Sequence, residues 1–76
     1  MESTGIGVVG CGNVSRMYLP ILARIPDLDV VAVADVDADR AEQTKNEFDI
    51  PRASSPDELI ADPAVDIVVN LTPIAV

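Results

Sequence analysis

Residues 5–25 read GIGVVGCGNVSRMYLPILARI, an apolar run that breaks at two glycines one residue apart and resumes with helical rhythm. Ile6 to Val9 is short and β-branched, which predicts a buried strand ending at Gly10. Beyond the glycines, Val14, Met17, Tyr18, Ile21, Leu22 and Ile25 recur at the spacing of one helical face. They predict a helix that turns this face inward, with Gly12 or Asn13 at its cap. Pro20 would sit inside that helix, where it removes the bond to the Arg16 carbonyl and predicts a kink.

The rest of the chain continues the alternation. Pro26-Asp27 closes the helix, and Val30 to Ala34 reads as a second, fully apolar strand that stops at Asp35. A polar second helix follows from Asp37, with Ala38, Ala41, Phe48 and the stems of Thr44 and Lys45 along one side. IPRAS, residues 50–54, is a brief extended piece. Ser55-Pro56-Asp57-Glu58 is a capping box with proline at the first helical position, opening a short helix that stops before Pro63. Ile67 to Leu71 form the last strand, and Thr72-Pro73 turn the chain away from it. Strands alternating with helices over short connections imply a parallel sheet. The expected architecture is α/β, β-α-β-α-β-α-β, an incomplete doubly wound sheet in the order 3-2-1-4.

Composition narrows the function. Tyr18 and Phe48 are the only aromatic residues, so the core must be made of Val, Ile, Leu and Ala, the composition of a buried parallel sheet. Thirteen acids against five bases give a formal charge of -8, which repels nucleic-acid phosphates and anionic membrane surfaces. One cysteine, Cys11, and no histidine leave no internal disulfide and no zinc site. The start, MESTG, lacks the basic segment of a secretion signal, and no apolar run approaches the length of a membrane span. A soluble cytoplasmic protein, holding no metal, is the expectation.

In a strand-turn-helix context the glycines acquire a role. Gly10 permits the tight turn, Gly12 lets backbone amides approach a pyrophosphate, and the helix start supplies a positive dipole end. Ser15 stands where a third glycine is usual, and it is small enough for close helix-strand packing. Asp35, at the end of the second strand and about 20 residues beyond the turn, can accept both ribose hydroxyls of an adenosine. Its charge opposes a 2′-phosphate, and no arginine stands at Val36 or Asp37, so NAD is favoured over NADP. The glycines could also serve a turn without ligand and Asp35 could also be a solvated strand-end acid, but their positions in the fold favour the nucleotide reading. Cys11 reads as a small side chain wedged between glycines, Tyr18 as a packing residue, and Asp37 and Asp39 as cap and dipole partners of the second helix.

The stretches GIGVVGCGNVSRMYLPIL, VVAVADVDADRA and SSPDELIADPAVDIVVNLTP together resemble the start of the Gfo/Idh/MocA oxidoreductases, over almost the whole chain. That resemblance implies an N-terminal dinucleotide-binding domain, with a separate α/β substrate domain further along, and hydride transfer between a sugar or cyclitol hydroxyl and a nicotinamide. It places Gly10, Gly12, Asn13 and Val14 at the pyrophosphate, Asp35 at the adenosine ribose and Arg40 beside the adenine. It places Leu71, Thr72 and Pro73 at the nicotinamide ribose and ring. The family's Glu-Lys-Pro segment, with its catalytic lysine, would lie beyond Val76. Residues 1–76 are accordingly expected to be the N-terminal part of the dinucleotide-binding domain, without the substrate domain and without catalytic residues.

Two other functions compete with this reading. One is a self-associating fragment that holds no cofactor. The other is an S-adenosylmethionine methyltransferase, disfavoured by the missing acid ahead of the glycines and by the LTP turn. A homodimer or higher oligomer is also expected. Strand four would be a sheet edge with no charge inside Ile67 to Val69, and apolar side chains of strands one and four would face water.

Overall fold

The computed structural model describes residues 3–71 and holds the expected alternation: β1 (Thr4–Val9), α1 (Asn13–Ala23), β2 (Leu28–Ala34), α2 (Ala38–Glu47), β3 (Arg52–Ser54), α3 (Pro56–Ile60) and β4 (Ile67–Asn70). The four strands form one sheet in the order β3-β2-β1-β4, and every neighbouring pair is parallel. The architecture is the α/β, incomplete doubly wound sheet that the sequence predicts. β1 begins two residues earlier than expected because Gly5 is bonded on both sides of its backbone. Its amide donates to Asp66 Oδ2 at 2.8 Å, and its carbonyl accepts from the Asp66 amide at 2.8 Å. β2 likewise starts at Leu28, paired with Thr4. β4 ends at Asn70, although the Leu71 amide still reaches the Val9 carbonyl at 2.8 Å.

Helix α1 runs through Pro20 but buries a different face from the expected one. Ser15 and Leu19 are buried and Leu22 is half-buried, whereas Met17, Tyr18, Ile21 and Ile25 are exposed. Tyr18 is therefore not a packing residue. Apolar side chains surround this helix, so more than one face has the period of a helix, and only docking on the sheet selects among them. The selected face carries a small residue, Ser15, whose hydroxyl donates to the Gly12 carbonyl at 2.7 Å. With Leu19 it approaches Ile6, Val8, Cys11 and Val33.

The core has two sides. Ile6, Val8, Cys11, Leu19, Val33, Ala41 and Ile50 form the cluster under α1 and α2. Val9, Ala32, Ala34 and Leu59 form the cluster under α3. β1 does not present apolar side chains to water: Ile6, Val8 and Val9 are all buried, and Leu59 with Val65 lies directly over Gly7. Leu59 alone covers for α3, since Ile60 is exposed. On β4 the expectation holds, and Ile67 and Val68 are exposed.

The expected caps are present. Asp37 Oδ1 accepts from the Asp39 and Arg40 amides at 3.1 and 3.3 Å, and Ser55 and Glu58 close a reciprocal capping box. The inward side of α2 is Ala41 and Thr44, with Phe48 half-buried and Ala38 exposed. The Thr44 hydroxyl is buried beside the Cys11 thiol.

Candidate functional site

The site is built where β1, β2 and β4 end side by side, with Val9 paired to both Ala34 and Asn70. The chain leaves β1 through Gly10 at φ 102°, in the region that favours glycine over residues with a Cβ. The turn is tied down against the end of β2. The Gly10 amide donates to the Ala34 carbonyl at 2.8 Å. The Cys11 thiol donates to the same carbonyl at 3.5 Å, and the Cys11 amide donates to Asp35 Oδ2 at 2.8 Å. Asp35 Oδ1 accepts from the Asp37 amide at 2.9 Å.

These partners set the protonation of the site. Partial burial pushes the Asp35 carboxyl up, but the Asp37 and Cys11 amides and the Arg40 guanidinium outweigh it, and the group lies below the ordinary carboxylate range. Asp35 is therefore ionised at neutral pH. Burial pushes the Cys11 thiol up, with the Thr44 hydroxyl opposing it and the Asp35 charge reinforcing it. Cys11 is buried and remains a thiol, which suits a filler under the turn and not a nucleophile.

Helix α1 starts differently from the other two. Its N-cap is Gly12, with no side-chain cap bond, and its first turn has no acidic residue. Helices α2 and α3 each have a capping side chain and acids in the first turn. A Cβ placed on Gly12 would meet nothing within 4 Å. The uncapped amides and positive dipole end of α1 thus face open space, the arrangement that receives a phosphate group. A cleft of about 320 Å³ opens there, lined by Cys11, Gly12, Arg16, Arg40 and Gln43. Asp35 borders a second cleft of about 310 Å³, with Val36, Ala38, Ser54 and Pro56. A third, of about 240 Å³, lies between Leu19, Leu28, Phe48 and Ile50 and contains none of these groups.

Of the residues singled out from sequence, Gly10, Gly12, Asp35 and Arg40 are brought together at this end of the sheet, and Leu71 adjoins it through its bond to Val9. Asn13 and Val14 open α1, but their side chains, like all of Thr72 and Pro73, lie outside the described residues. Arg16 and Gln43 are additions to the expected set. Both were legible by helical spacing, Arg16 four residues from Gly12 and Gln43 three from Arg40. Arg16 also pairs with Glu47 across α1 and α2. Among the described residues no group of three or more acids, cysteines or histidines could hold a metal ion. None of the described helices is long and apolar enough to cross a membrane.

A parallel sheet whose first strand passes through a glycine turn into an uncapped helix, with an ionised acid at the end of the second strand, defines the Rossmann class of dinucleotide-binding domains. More narrowly, the chain belongs to the Gfo/Idh/MocA family, described as an oxidoreductase family with an NAD-binding Rossmann fold, whose profile matches residues 4–74. It is 38% identical over 64 residues to myo-inositol 2-dehydrogenase of Thermotoga maritima, covering 83% of this chain and 19% of that protein. The structure of myo-inositol dehydrogenase from Lactobacillus casei, in complex with NAD(H) and myo-inositol, superimposes with a TM-score of 0.83 at 27% identity, covering 92% of this chain and 22% of that one. A 3-ketoreductase from Actinomadura kijaniata, in complex with NADP and TDP-benzene, superimposes with a TM-score of 0.80 at 28% identity over 88% of this chain and 21% of its own. The chain thus spans about a fifth of the length of these relatives.

Proposed function

We propose that this chain is the N-terminal, NAD-binding portion of an oxidoreductase that moves hydride between a nicotinamide and a sugar or polyol hydroxyl. The observation that carries the reading is the ionised Asp35 at the end of β2, bonded to a glycine turn that opens into an uncapped helix. Gly10 turns the chain at the pyrophosphate, backbone amides of Gly12, Asn13 and Val14 hold it, Asp35 accepts the adenosine ribose hydroxyls, and Arg40 flanks the adenine. Leu71, Thr72 and Pro73 border the nicotinamide end. The bound nicotinamide supplies the hydride chemistry. The proton-transfer group comes from outside this chain, which is supported by the engagement of Asp35 with the turn and by the buried, protonated Cys11. Inositol dehydrogenases among the relatives support a polyol substrate, and the single unpaired Cys11 is in keeping with the cytoplasm.

For the cofactor itself we propose NAD over NADP. A 2′-phosphate would enter beside Asp35, with Asp37 and Asp39 close in sequence; Arg40 opposes their charge, while Arg16 of the neighbouring cleft is paired with Glu47. Calorimetric titration is expected to give a dissociation constant for NAD of about 1 mM, since roughly half of a dinucleotide pocket is present. NADP should bind at least about ten-fold more weakly, a difference of about 1.4 kcal/mol. Equal or tighter NADP binding would overturn the preference. A chain that bound neither cofactor would favour the alternative reading of a non-catalytic, self-associating fragment.

We also propose that two copies associate through β4. Among the described residues it is an edge of the sheet, Ile67 and Val68 are exposed at 48% and 42%, and no charged residue interrupts 67–71. A two-fold axis at this edge would pair β4 with its copy and cover the exposed Ile67 and Val68. Sedimentation over a dilution series is expected to show a concentration-dependent dimer. Val68→Lys, at a site already half in solvent, should weaken it at least about ten-fold. A monomer at all concentrations, indifferent to the lysine, would refute the interface.

A further inference from the structure

We propose that Asp35 is a positioning residue for the glycine turn, so that one carboxylate sets both the ribose site and the pyrophosphate cradle. This rests on the dinucleotide reading above and extends it from recognition to geometry. The Cys11 amide, within the turn, donates to Asp35 Oδ2 at 2.8 Å, and the Asp37 amide, at the entry to α2, donates to Oδ1 at 2.9 Å. The side chain therefore bridges two loops that the sheet alone joins only through the Ala34 carbonyl.

The lone-pair count allows both jobs. An ionised carboxylate offers roughly four acceptor sites. Cys11 and Asp37 use two of them and the Val36 amide adds a weaker contact, which leaves acceptor capacity for a ribose hydroxyl. The occupied sites also fix the orientation of the carboxylate before a ligand arrives. The turn has few other restraints on this side. Gly10 and Gly12 flank Cys11 with no side chains of their own, and Gly12 touches nothing within 4 Å of its Cβ direction. Loss of the Asp35 bond would free the amides that are to meet phosphate oxygens, even for a ligand that has no ribose hydroxyls.

The test compares ADP with 2′,3′-dideoxy-ADP on the unmodified chain, Asp35→Ala and Asp35→Asn, with hydrogen exchange of the Cys11 amide measured by NMR on the unliganded proteins. A carboxylate that served the ribose alone would leave dideoxy-ADP binding and Cys11 exchange unchanged in Asp35→Ala. The clamp predicts that Asp35→Ala weakens dideoxy-ADP at least about five-fold and speeds Cys11 exchange at least about ten-fold, while the Val33 amide in the core stays protected. Asp35→Asn keeps one acceptor oxygen and should restore Cys11 protection and dideoxy-ADP binding, while ADP remains weakened. Unchanged dideoxy-ADP affinity or unchanged Cys11 exchange in Asp35→Ala would overturn the proposal. If the unmodified chain bound neither nucleotide, the dinucleotide reading would fall, and the exchange arm would still decide whether Asp35 holds the turn.

Discussion

Gly5→Ala is expected to destabilise the chain by about 3 kcal/mol or more, at or above the top of the usual range for a side chain forced into filled space. A Cβ at this position would coincide with the carbonyl oxygen of Ala64. Relief by a small shift is blocked, because the Gly5 amide and carbonyl are both bonded to Asp66. Moving β1 away from Ala64 would break these two bonds and disturb the pairing of Ile6 with Ile67 on the same strand. A domain of this length has about 4–11 kcal/mol of stability in total, so the variant should be largely unfolded near body temperature. Urea denaturation followed by circular dichroism measures it. A loss below about 1 kcal/mol would show that the loop carrying Ala64 yields where its hydrogen bonds say it should not.

Gly12→Ala should do the reverse, leaving the fold and removing the ligand. The N-cap has extended backbone angles, φ -89° and ψ -162°, which alanine adopts without strain. No atom within 4 Å opposes the new methyl group. Alanine is a poorer N-cap than glycine, so a loss of stability below about 1 kcal/mol is expected. The methyl group would occupy the space in which a pyrophosphate must approach the amides of α1. Binding of NAD should fall at least about ten-fold, or about 1.4 kcal/mol. Titration of the variant beside its denaturation curve separates the two effects. Undiminished NAD binding would mean that the open space over Gly12 is not the phosphate site.

The contrast between these glycines shows where sequence reading succeeds. Gly10 and Gly12 were legible because a strand followed at once by a helix makes its glycine turn recognisable from local pattern. Gly5 sits in the same stretch, and nothing local marks it, since the atom it must avoid belongs to Ala64, far along the chain. Asp35 is intermediate. Its place at a strand end could be read, but its bond to the Cys11 amide joins residues 24 apart in the chain. Arg16 and Gln43 could each be read from helical spacing, but that they share one cleft with Arg40 depends on how α1 and α2 are placed.

The order of elements, the parallel sheet with its 3-2-1-4 strand order, the caps at Asp37 and Ser55, and the glycine turn ending β1 were all readable from the sequence. Each of these depends on residues close in the chain: runs of β-branched side chains, a capping residue three positions from its partner, a glycine where φ is positive. Only the tertiary structure decided which face of α1 is buried and where β2 changes phase. Helix α1 is apolar nearly all round, and its spacing admits more than one inward face. The sheet chose Ser15 and Leu19 over Met17, Tyr18 and Ile21, because close approach to Ile6, Val8 and Cys11 favours small or well-fitted side chains on that side. In β2 the register slips between Ile6 and Gly7, whose partners are Val30 and Ala32. Val31 is the extra residue, and it lies with Ala32 on the side of α3, while Val30 and Val33 face α1 and α2. A strand buried on both sides is apolar at every position, so no alternation survives in the sequence to reveal such a slip.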